Sequence, residues 1–268
     1  MKQIESRNNQ IIKKALKVLS GSNNDSLIMV EGHKLLGEAI KSGAQPEMVF
    51  VENPTSLRDK TFLEEKCFMV NRGLFRELST VKSPNEIIAF LRPASKPNLE
   101  DLVKTAKMLV VLDRLQDPGN IGTIIRTSEA MGASAIILLE GCCNPNNHKV
   151  IRAAMGSSFR LPTVANVNIE NLFTILNKNG YMTICADMKG SKLPDFKFAE
   201  KSALFMGQEG SGISDYIMSN CKSRVAIPMY GQVESLNVAT STAMCLYEWA
   251  RVKSVQTASS NYKRSSNV

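Results

Sequence analysis

The stretch that decides the fold runs from Met108 to Arg126 and reads MLVVLDRLQDPGNIGTIIR. Its first five residues are all apolar, as in a strand that is buried on both faces of a sheet, and Asp113 is predicted to end that strand. A loop of turn-forming residues follows, and a helix is then predicted to continue to about Met131, with Asn120 as its N-cap. A buried strand followed at once by a helix is the repeating unit of a parallel α/β sheet.

The same alternation continues toward the C-terminus. Further buried strands are predicted at 135–139, 182–185, 203–206 and 224–227, and a last helix is predicted from about 236 to 252. Apolar strands that alternate with helices predict an α/β fold with a parallel sheet covered on both faces, whose ligands bind beyond the carboxyl ends of the strands. Residues 254–268 are rich in Ser, Asn and Lys, and we expect them to form a flexible tail.

The N-terminal third predicts a smaller α/β unit over residues 1–92. Its predicted elements are a helix at 11–19, strands at 27–30 and 48–51, and a helix that Glu31-Gly32-His33 opens and that runs through Ile40. Pro93 and Pro97 resist both helix and central strand, so residues 93–106 are predicted to form a linker to a second domain over 107–253.

Composition narrows the classes of partner. The chain has 268 residues with 33 Lys and Arg against 25 Asp and Glu, a formal net charge of +8, and this surplus favours polyanions such as RNA. We expect neither a membrane span nor a secretory signal, because no apolar run is long enough and the N-terminus is polar. The six cysteines form no C-x-x-C pair, which argues against a zinc site or a disulfide framework and fits a reducing cytoplasm.

Three loops that follow predicted strands contain the residues suited to chemistry. In the first, residues 117–126, Gly122 lets another group approach the first turn of the helix, and Arg126 lies on the same helix face. The helix N-terminus and this arginine could hold a phosphate. The alternative is a capped helix whose arginine makes a surface salt bridge.

The second loop, residues 206–213, contains three glycines in the order G-x-x-G-x-G, which lets backbone amides approach a ligand. This order differs from that of the dinucleotide fingerprint, and Glu209 suits a ligand with a positive charge or ribose hydroxyls. A flexible turn is the alternative.

In the third loop, a strand ends at Pro228, and Ser235 or Asn237 is predicted to cap the last helix.

At these three loops the chain resembles the SpoU/TrmH family of RNA ribose 2′-O-methyltransferases, within the SPOUT class. The matching motifs are Asn120-x-Gly122-x-x-x-Arg126, Gly207-x-Glu209-Gly210-x-Gly212, and Ile227-Pro228-Met229 continuing to Ser235-Leu236-Asn237-Val238. They occur in the family's order within residues 107–252. The Glu31-Gly32-His33 segment, with the helix after it, resembles the family's N-terminal substrate-binding domain, which is related to ribosomal-protein-like RNA binders.

The resemblance implies a deep C-terminal trefoil knot, a homodimer with a site at the subunit interface, and S-adenosylmethionine as the methyl donor, with no metal. It implies a ribose 2′-hydroxyl of RNA as the acceptor. The added N-terminal domain favours ribosomal RNA as the substrate, and transfer RNA is the alternative. The implied catalytic residues are Arg126, Asn120, Glu209, Ser235 and Asn237. The implied cofactor-binding residues are Gly207, Ile227, Leu236, Met206, Gly210 and Met229.

The RNA-contacting residues are less well defined by the sequence. Basic residues usually precede the strand that leads into the Glu-Gly-His segment, and here that stretch is Ser22-Asn23-Asn24-Asp25. We expect phosphate contacts from Arg7, Lys13, Lys14, Lys17 and His33, with Lys263 and Arg264 in the tail. A solvated charged face is the alternative for each of them.

A non-catalytic RNA-binding paralogue is the alternative function, and an oxidoreductase is disfavoured because no early G-x-G-x-x-G is present.

Overall fold

The computed structural model describes residues 1–21, 27–57, 64–95, 97–208, 210 and 212–265, the last twelve by their backbone alone. The chain divides into two compact units. The first comprises Met1–Ser95 together with Asn146–Arg160, and the second comprises Lys96–Pro145 together with Leu161–Val268. The α/β class predicted from the sequence is confirmed in both units.

The first unit is built on a five-stranded mixed sheet. Its strands are β1 (Lys2–Ile4), β2 (Ile28–Glu31), β3 (Gln45–Val51), β4 (Cys67–Val70) and β5 (Ile87–Arg92), in the order β1-β4-β3-β5-β2. Its helices include α1 (Gln10–Leu19), α2 (His33–Lys41) and α3 (Arg72–Leu78). Phe50 and Phe90 pack edge to face, 5.9 Å apart, in the core that α1 and α3 cover. The predicted helix at 11–19, both predicted strands and the helix after Gly32 are confirmed.

The second unit is built on a six-stranded sheet in which every pair is parallel. Its strands are β6 (Met108–Leu112), β7 (Ala135–Leu139), β8 (Thr163–Val167), β9 (Met182–Lys192), β10 (Ser202–Met206) and β11 (Ser223–Ala226), in the order β11-β9-β10-β6-β7-β8. The helices are α4 (Leu99–Thr105), α5 (Pro118–Ala130), α7 (Ile169–Lys178), α8 (Asp215–Asn220) and α9 (Val238–Ser265). The predicted parallel sheet is confirmed, because each strand presents apolar residues to covering helices.

One short helix, α6 (His148–Ala154), follows β7 in the sequence but belongs to the first unit. Its Ile151 is buried in the core that Val30, Leu36 and Val49 form on one face of the five-stranded sheet. The N-terminal domain predicted at residues 1–92 lacks this segment. The apolar face of a seven-residue helix does not reveal which of two sheets it covers.

Two local predictions are wrong, the N-cap of α5 and the end of the last helix. Asp117, not Asn120, caps α5: its Oδ1 accepts a hydrogen bond from the Asn120 backbone N–H at 2.7 Å, and Pro118 occupies the first helical position, where its missing N–H costs nothing. Residues 99–105 of the predicted linker form α4, because Asn98 caps this helix and Val103 is buried. The backbone of α9 stays helical to Ser265, within the predicted flexible tail, where neither proline nor glycine interrupts it.

No helix in the described ranges is both long enough and apolar enough to cross a membrane. A cytoplasmic location stays a prediction.

Candidate active site

A cavity of about 480 Å³ lies at the carboxyl ends of β10 and β11 and beside the middle of β9. This is where a parallel α/β sheet places its ligands. The cavity is lined by all six residues that the sequence nominates for the cofactor, which are Met206, Gly207, Gly210, Ile227, Met229 and Leu236. Of the nominated catalytic residues, Ser235 also lines it. Segments up to 30 residues apart in the chain therefore meet in one pocket.

The glycine loop after β10 folds back on itself. The Gln208 N–H donates to the Gly212 carbonyl at 3.1 Å, and the Gly212 N–H donates to the Gln208 carbonyl at 2.8 Å. A Cβ atom at Gly207 would lie 2.4 Å from the Ile213 nitrogen and 2.5 Å from the Gly212 carbonyl carbon, so no side chain fits there. Glu209 and Ser211, which belong to the predicted motif, lie outside the described residues.

Asp113 fixes the position of this loop, and sequence reasoning marked it only as the end of a strand. Its side chain is 95% buried, and its Oδ2 accepts a hydrogen bond from the Ser214 N–H at 2.9 Å. Its backbone N–H donates to the Met206 carbonyl at 2.9 Å. Both ends of the glycine loop are thus tied to the end of β6. The sequence did contain a signal for this role. A carboxylate that directly follows five apolar residues is expected to be buried, and a buried carboxylate needs hydrogen-bond partners.

Two nominated catalytic residues are joined by a hydrogen bond. The Asn237 Nδ2 donates to the Asn120 Oδ1 at 3.0 Å, which connects the start of α9 to the first turn of α5. The Asn237 Oδ1 accepts from the backbone N–H groups of Ala239 at 2.9 Å and Thr240 at 3.3 Å. Asn237 is therefore the cap of α9, one of the two caps predicted for that helix.

Arg126 is exposed on α5 and is not one of the side chains that line the cavity. It follows Asn120 by six residues on the same helix.

The charges around the cavity have one sign. Among the described residues that line it, Asp187 and Glu234 carry charge, and neither lysine nor arginine is present. The Asp187 Oδ2 lies 3.3 Å from the Arg224 Nη1, an ion pair that orients this carboxylate. Four methionines complete the apolar part of the wall: Met188, Met206, Met218 and Met229. This lining suits a small ligand that is partly apolar and carries positive charge.

The thiols of Cys142 and Cys245 are not poised as nucleophiles. Cys142 donates a hydrogen bond to the Leu112 carbonyl at 3.2 Å, and burial raises the pKa of this thiol to about 11. Burial also raises the pKa of Cys245, on α9, to about 12. Both groups therefore stay protonated at neutral pH. Within the described parts of the chain, no three His, Cys, Asp or Glu side chains are grouped as metal ligands.

The nominated RNA-contacting residues are dispersed over the first unit. Lys13, Lys14 and Lys17 are exposed on α1, and Arg7 is paired with Glu77 at 2.8 Å. His33 lines a separate cavity. The loop Ser22-Asn23-Asn24-Asp25 and the side chains of Lys263 and Arg264 lie outside the described residues.

The fold and this cavity define an α/β protein whose parallel sheet carries a ligand-sized cavity at its strand ends. The model of the SpoU rRNA Methylase family matches residues 107–247, and that of the MRM3-like substrate binding domain matches residues 9–89. The chain belongs to the SpoU rRNA methylase family.

Individual relatives agree with this assignment. The chain is 31% identical to the 23S rRNA (guanosine(2553)-2′-O)-methyltransferase RlmP of Bacillus subtilis, over 92% of this chain and 98% of that protein. It is 29% identical to an uncharacterized tRNA/rRNA methyltransferase of Synechocystis, over 92% and 93% of the two chains. The AdoMet-bound rRNA methyltransferase of Sinorhizobium meliloti superposes with a TM-score of 0.83 at 27% identity, covering 94% of this chain and 98% of that one.

Proposed function

We propose that this chain transfers a methyl group from S-adenosylmethionine to a ribose 2′-hydroxyl of ribosomal RNA. The observation that carries the proposal is the cavity in which the glycine loop, the residues after β11 and the start of α9 meet. The names of the relatives support ribosomal RNA as the substrate, and the net charge of +8 suits a polyanion. The donor supplies a methyl group that is already activated on a sulfonium.

The residues present fit this donor. Gly207 lines the cavity, and the Gly212 and Ile213 backbone packs against it too closely for any Cβ atom, so this part of the wall is main chain that can contact the ligand. Ile227 and Leu236 would contact it from the other two segments. Asp187 and Glu234 would balance its positive charge, and the methionine-rich wall would hold its apolar parts. The task left to the chain is to position the 2′-hydroxyl, which needs no metal.

Arg126 is assigned to the acceptor side. A guanidinium carries no free lone pair that could take up a proton at neutral pH, so arginine does not serve as a general base. It instead polarises the 2′-hydroxyl or clamps the adjacent phosphate, and so stabilises the developing alkoxide. Asn120, Asn237 and Ser235 position this part of the site, and the proton leaves to phosphate, water or Glu209.

The Arg126→Lys variant tests this assignment, because it keeps the charge and loses the planar fork. We expect turnover on RNA to fall by about 100-fold while S-adenosylmethionine affinity, measured by calorimetry, stays unchanged. Arg251→Lys is the matched control, since Arg251 pairs with Glu248 along α9. Near-native turnover of Arg126→Lys would show that the bidentate clamp is wrong.

The substrate is tested by mapping ribose methylation across cellular RNA with and without the gene. We expect one ribosomal RNA site to lose its methyl group. If only transfer RNA loses a methyl group, transfer RNA is the substrate and ribosomal RNA is not. If no site changes, the non-catalytic paralogue is the better account, and absent S-adenosylmethionine binding in calorimetry would establish it.

Two further properties are proposed from the family. The polypeptide of the second unit forms a deep trefoil knot, and two chains form a homodimer whose sites lie at the subunit interface. The proposal of a shared site is supported by the position of Arg126, which is not part of the cavity wall of its own chain.

A further inference from the structure

A second cavity, of about 290 Å³, lies within the first unit. Its walls come from the end of β2, the first turns of α2, the residues before β5 and the helix α6. The chain has two histidines, and both His33 and His148 line this cavity. The helix α6 lies outside residues 9–89, which the substrate-binding model matches, so the complete cavity is a feature of the folded unit.

The carboxylates of this cavity are already used to build its walls. The Glu31 Oε1 accepts hydrogen bonds from the Ser79 hydroxyl at 2.8 Å and the Asn85 N–H at 3.1 Å, and its Oε2 accepts from the Thr80 N–H at 3.2 Å. The Glu38 carboxylate is paired with Arg160. These contacts fix the positions of both carboxylates in the wall, and the negative charge of Glu31 acts on His148.

Other polar groups remain available to a ligand. The His33 Nε2 is buried and makes no hydrogen bond, although the Glu86 Oε2 lies 3.4 Å away. Burial, together with the charges of Arg152 and Lys149, lowers the pKa of His148, although Glu31 opposes the shift. His148 is accordingly neutral at pH 7 and can donate through one ring nitrogen and accept through the other.

The cations of the cavity are placed where a phosphate could reach them. Lys34 is exposed in the first turn of α2. Arg152 lies one turn after His148 on α6, and its Nη1 donates to the Thr80 carbonyl at 3.1 Å, which leaves further N–H groups on the guanidinium. The interior also has apolar surface from Met29, Leu35 and Val81. A flat apolar ring with polar edges, joined to an anion, matches this combination.

We propose that this cavity binds one unstacked nucleotide of the RNA, with its base against the apolar wall and the histidines, and its phosphate at Lys34 and Arg152. The inference rests on the proposed function, because that function makes RNA the substrate. It adds a second contact to the RNA, separate from the methylated ribose.

The two histidines make the cavity directly observable. In the full chain labelled at histidine, we expect millimolar GMP, AMP, UMP or CMP to shift the ring signals of both His33 and His148, with at least one nucleotide saturating. Inorganic phosphate alone should shift them much less. S-adenosylmethionine should leave both unchanged, because neither histidine lines its cavity. Absent nucleotide shifts would overturn the proposal, and equal shifts with phosphate alone would reduce it to an anion site.

Variants test the cavity against RNA itself, with in vitro transcribed bacterial 23S ribosomal RNA as the probe. Lys34→Ala should weaken binding and lower the slope of log affinity against log salt by about one. Lys41→Ala, in the last turn of the same helix, should bind as the unaltered chain does. Val81→Phe fills the cavity without changing charge and should abolish the nucleotide shifts.

The outcomes separate this inference from the proposed function. If Lys34→Ala and Lys41→Ala bind and methylate RNA alike, the nucleotide cavity is wrong and the methyl transfer stands. If nucleotides shift both histidines but no RNA is methylated, the proposed reaction fails and the cavity stands. Should Val81→Phe not fold, as judged by its circular dichroism, the Lys34→Ala comparison decides alone.

Discussion

Gly207 and Asp113 shape the donor cavity in two different ways, the first through the absence of a side chain and the second through a buried carboxylate. At Gly207 the backbone atoms of Gly212 and Ile213 lie too close to leave room for a Cβ atom. Asp113 buries a carboxylate and uses it to hold the Ser214 N–H on the far side of the same loop. A buried carboxylate is costly unless it is hydrogen-bonded, so this residue and the loop are mutually dependent.

The Gly207→Ala substitution tests the close approach at the residue scale. The added methyl group would overlap the Ile213 backbone, so the loop must open. We expect S-adenosylmethionine affinity, measured by calorimetry, to fall by at least about 10-fold, corresponding to the loss of roughly 1.4 kcal/mol of binding free energy.

Gly231→Ala is the matched control, because a Cβ atom there meets nothing within 4 Å. We expect it to bind the donor as the unaltered chain does. Equal affinities for the Gly207→Ala variant and the control would contradict the role assigned to the loop.

At the scale of elements, side-chain hydrogen bonds join helices and strands that the hydrophobic pattern leaves independent. The bond between Asn237 and Asn120 links α9 to α5, and it places the cap of one helix against the first turns of another. Tyr181, just before β9, reaches the carbonyls of Val103 and Ala106 at the end of α4. Burial raises the pKa of this phenol to about 12, so it remains a donor throughout the neutral range.

The Tyr181→Phe substitution tests this anchor. It retains the ring in the core and leaves the carbonyls at the end of α4 without the hydroxyl donor. We expect the free energy of unfolding to fall by about 1–2 kcal/mol, measured by urea denaturation. Tyr247→Phe is the control, because this tyrosine is 61% exposed on α9. An unchanged unfolding midpoint for Tyr181→Phe would mean that water replaces the lost donor at no cost.

At the scale of the whole molecule, the chain combines a unit for donor binding with a unit that the substrate-binding model matches. The two units are not simple consecutive halves, because residues 146–160 leave the second unit and join the first. An insertion in this segment would therefore disturb the core around Ile151 in the first unit, although it lies within the sequence match of the methylase domain.

Mixed dimers test the proposed sharing of sites between subunits. Arg126→Ala homodimers are expected to be nearly inactive, and Gly207→Ala homodimers nearly inactive when the S-adenosylmethionine concentration is kept well below their dissociation constant. A co-expressed heterodimer, purified through two different tags, should regain roughly half of the wild-type activity if Arg126 of one chain serves the cavity of the other.

The control for the mixed dimers is a mixture of the two purified homodimers under conditions without subunit exchange, which should stay inactive. A heterodimer without activity would place each complete site within one subunit, and a monomeric mass in sedimentation would exclude the dimer itself.

Features that depend on residues close together in the chain could be predicted from the sequence, and features that depend on distant contacts could not. Strands β6 and β7 were predicted to the residue, because five consecutive apolar residues are a purely local signal. The edge strand β8 was missed, since its sequence TVANV is only partly buried. The N-cap of α5 was misplaced by three residues, because both Asp117 and Asn120 are suitable caps and only the turn geometry chooses between them.

The amino-acid sequence by itself determined the α/β alternation, the three motif loops and the family, because each depends on residues close together in the chain. Tertiary structure alone decided the strand order β11-β9-β10-β6, which brings the second and third of those loops to one cavity, and the contact of Asn120 in the first loop with Asn237 in the third. It also decided the bond from Asp113 to Ser214 and the transfer of α6 to the first unit. These features depend on contacts between residues dozens of positions or more apart, and such contacts form only when whole elements pack.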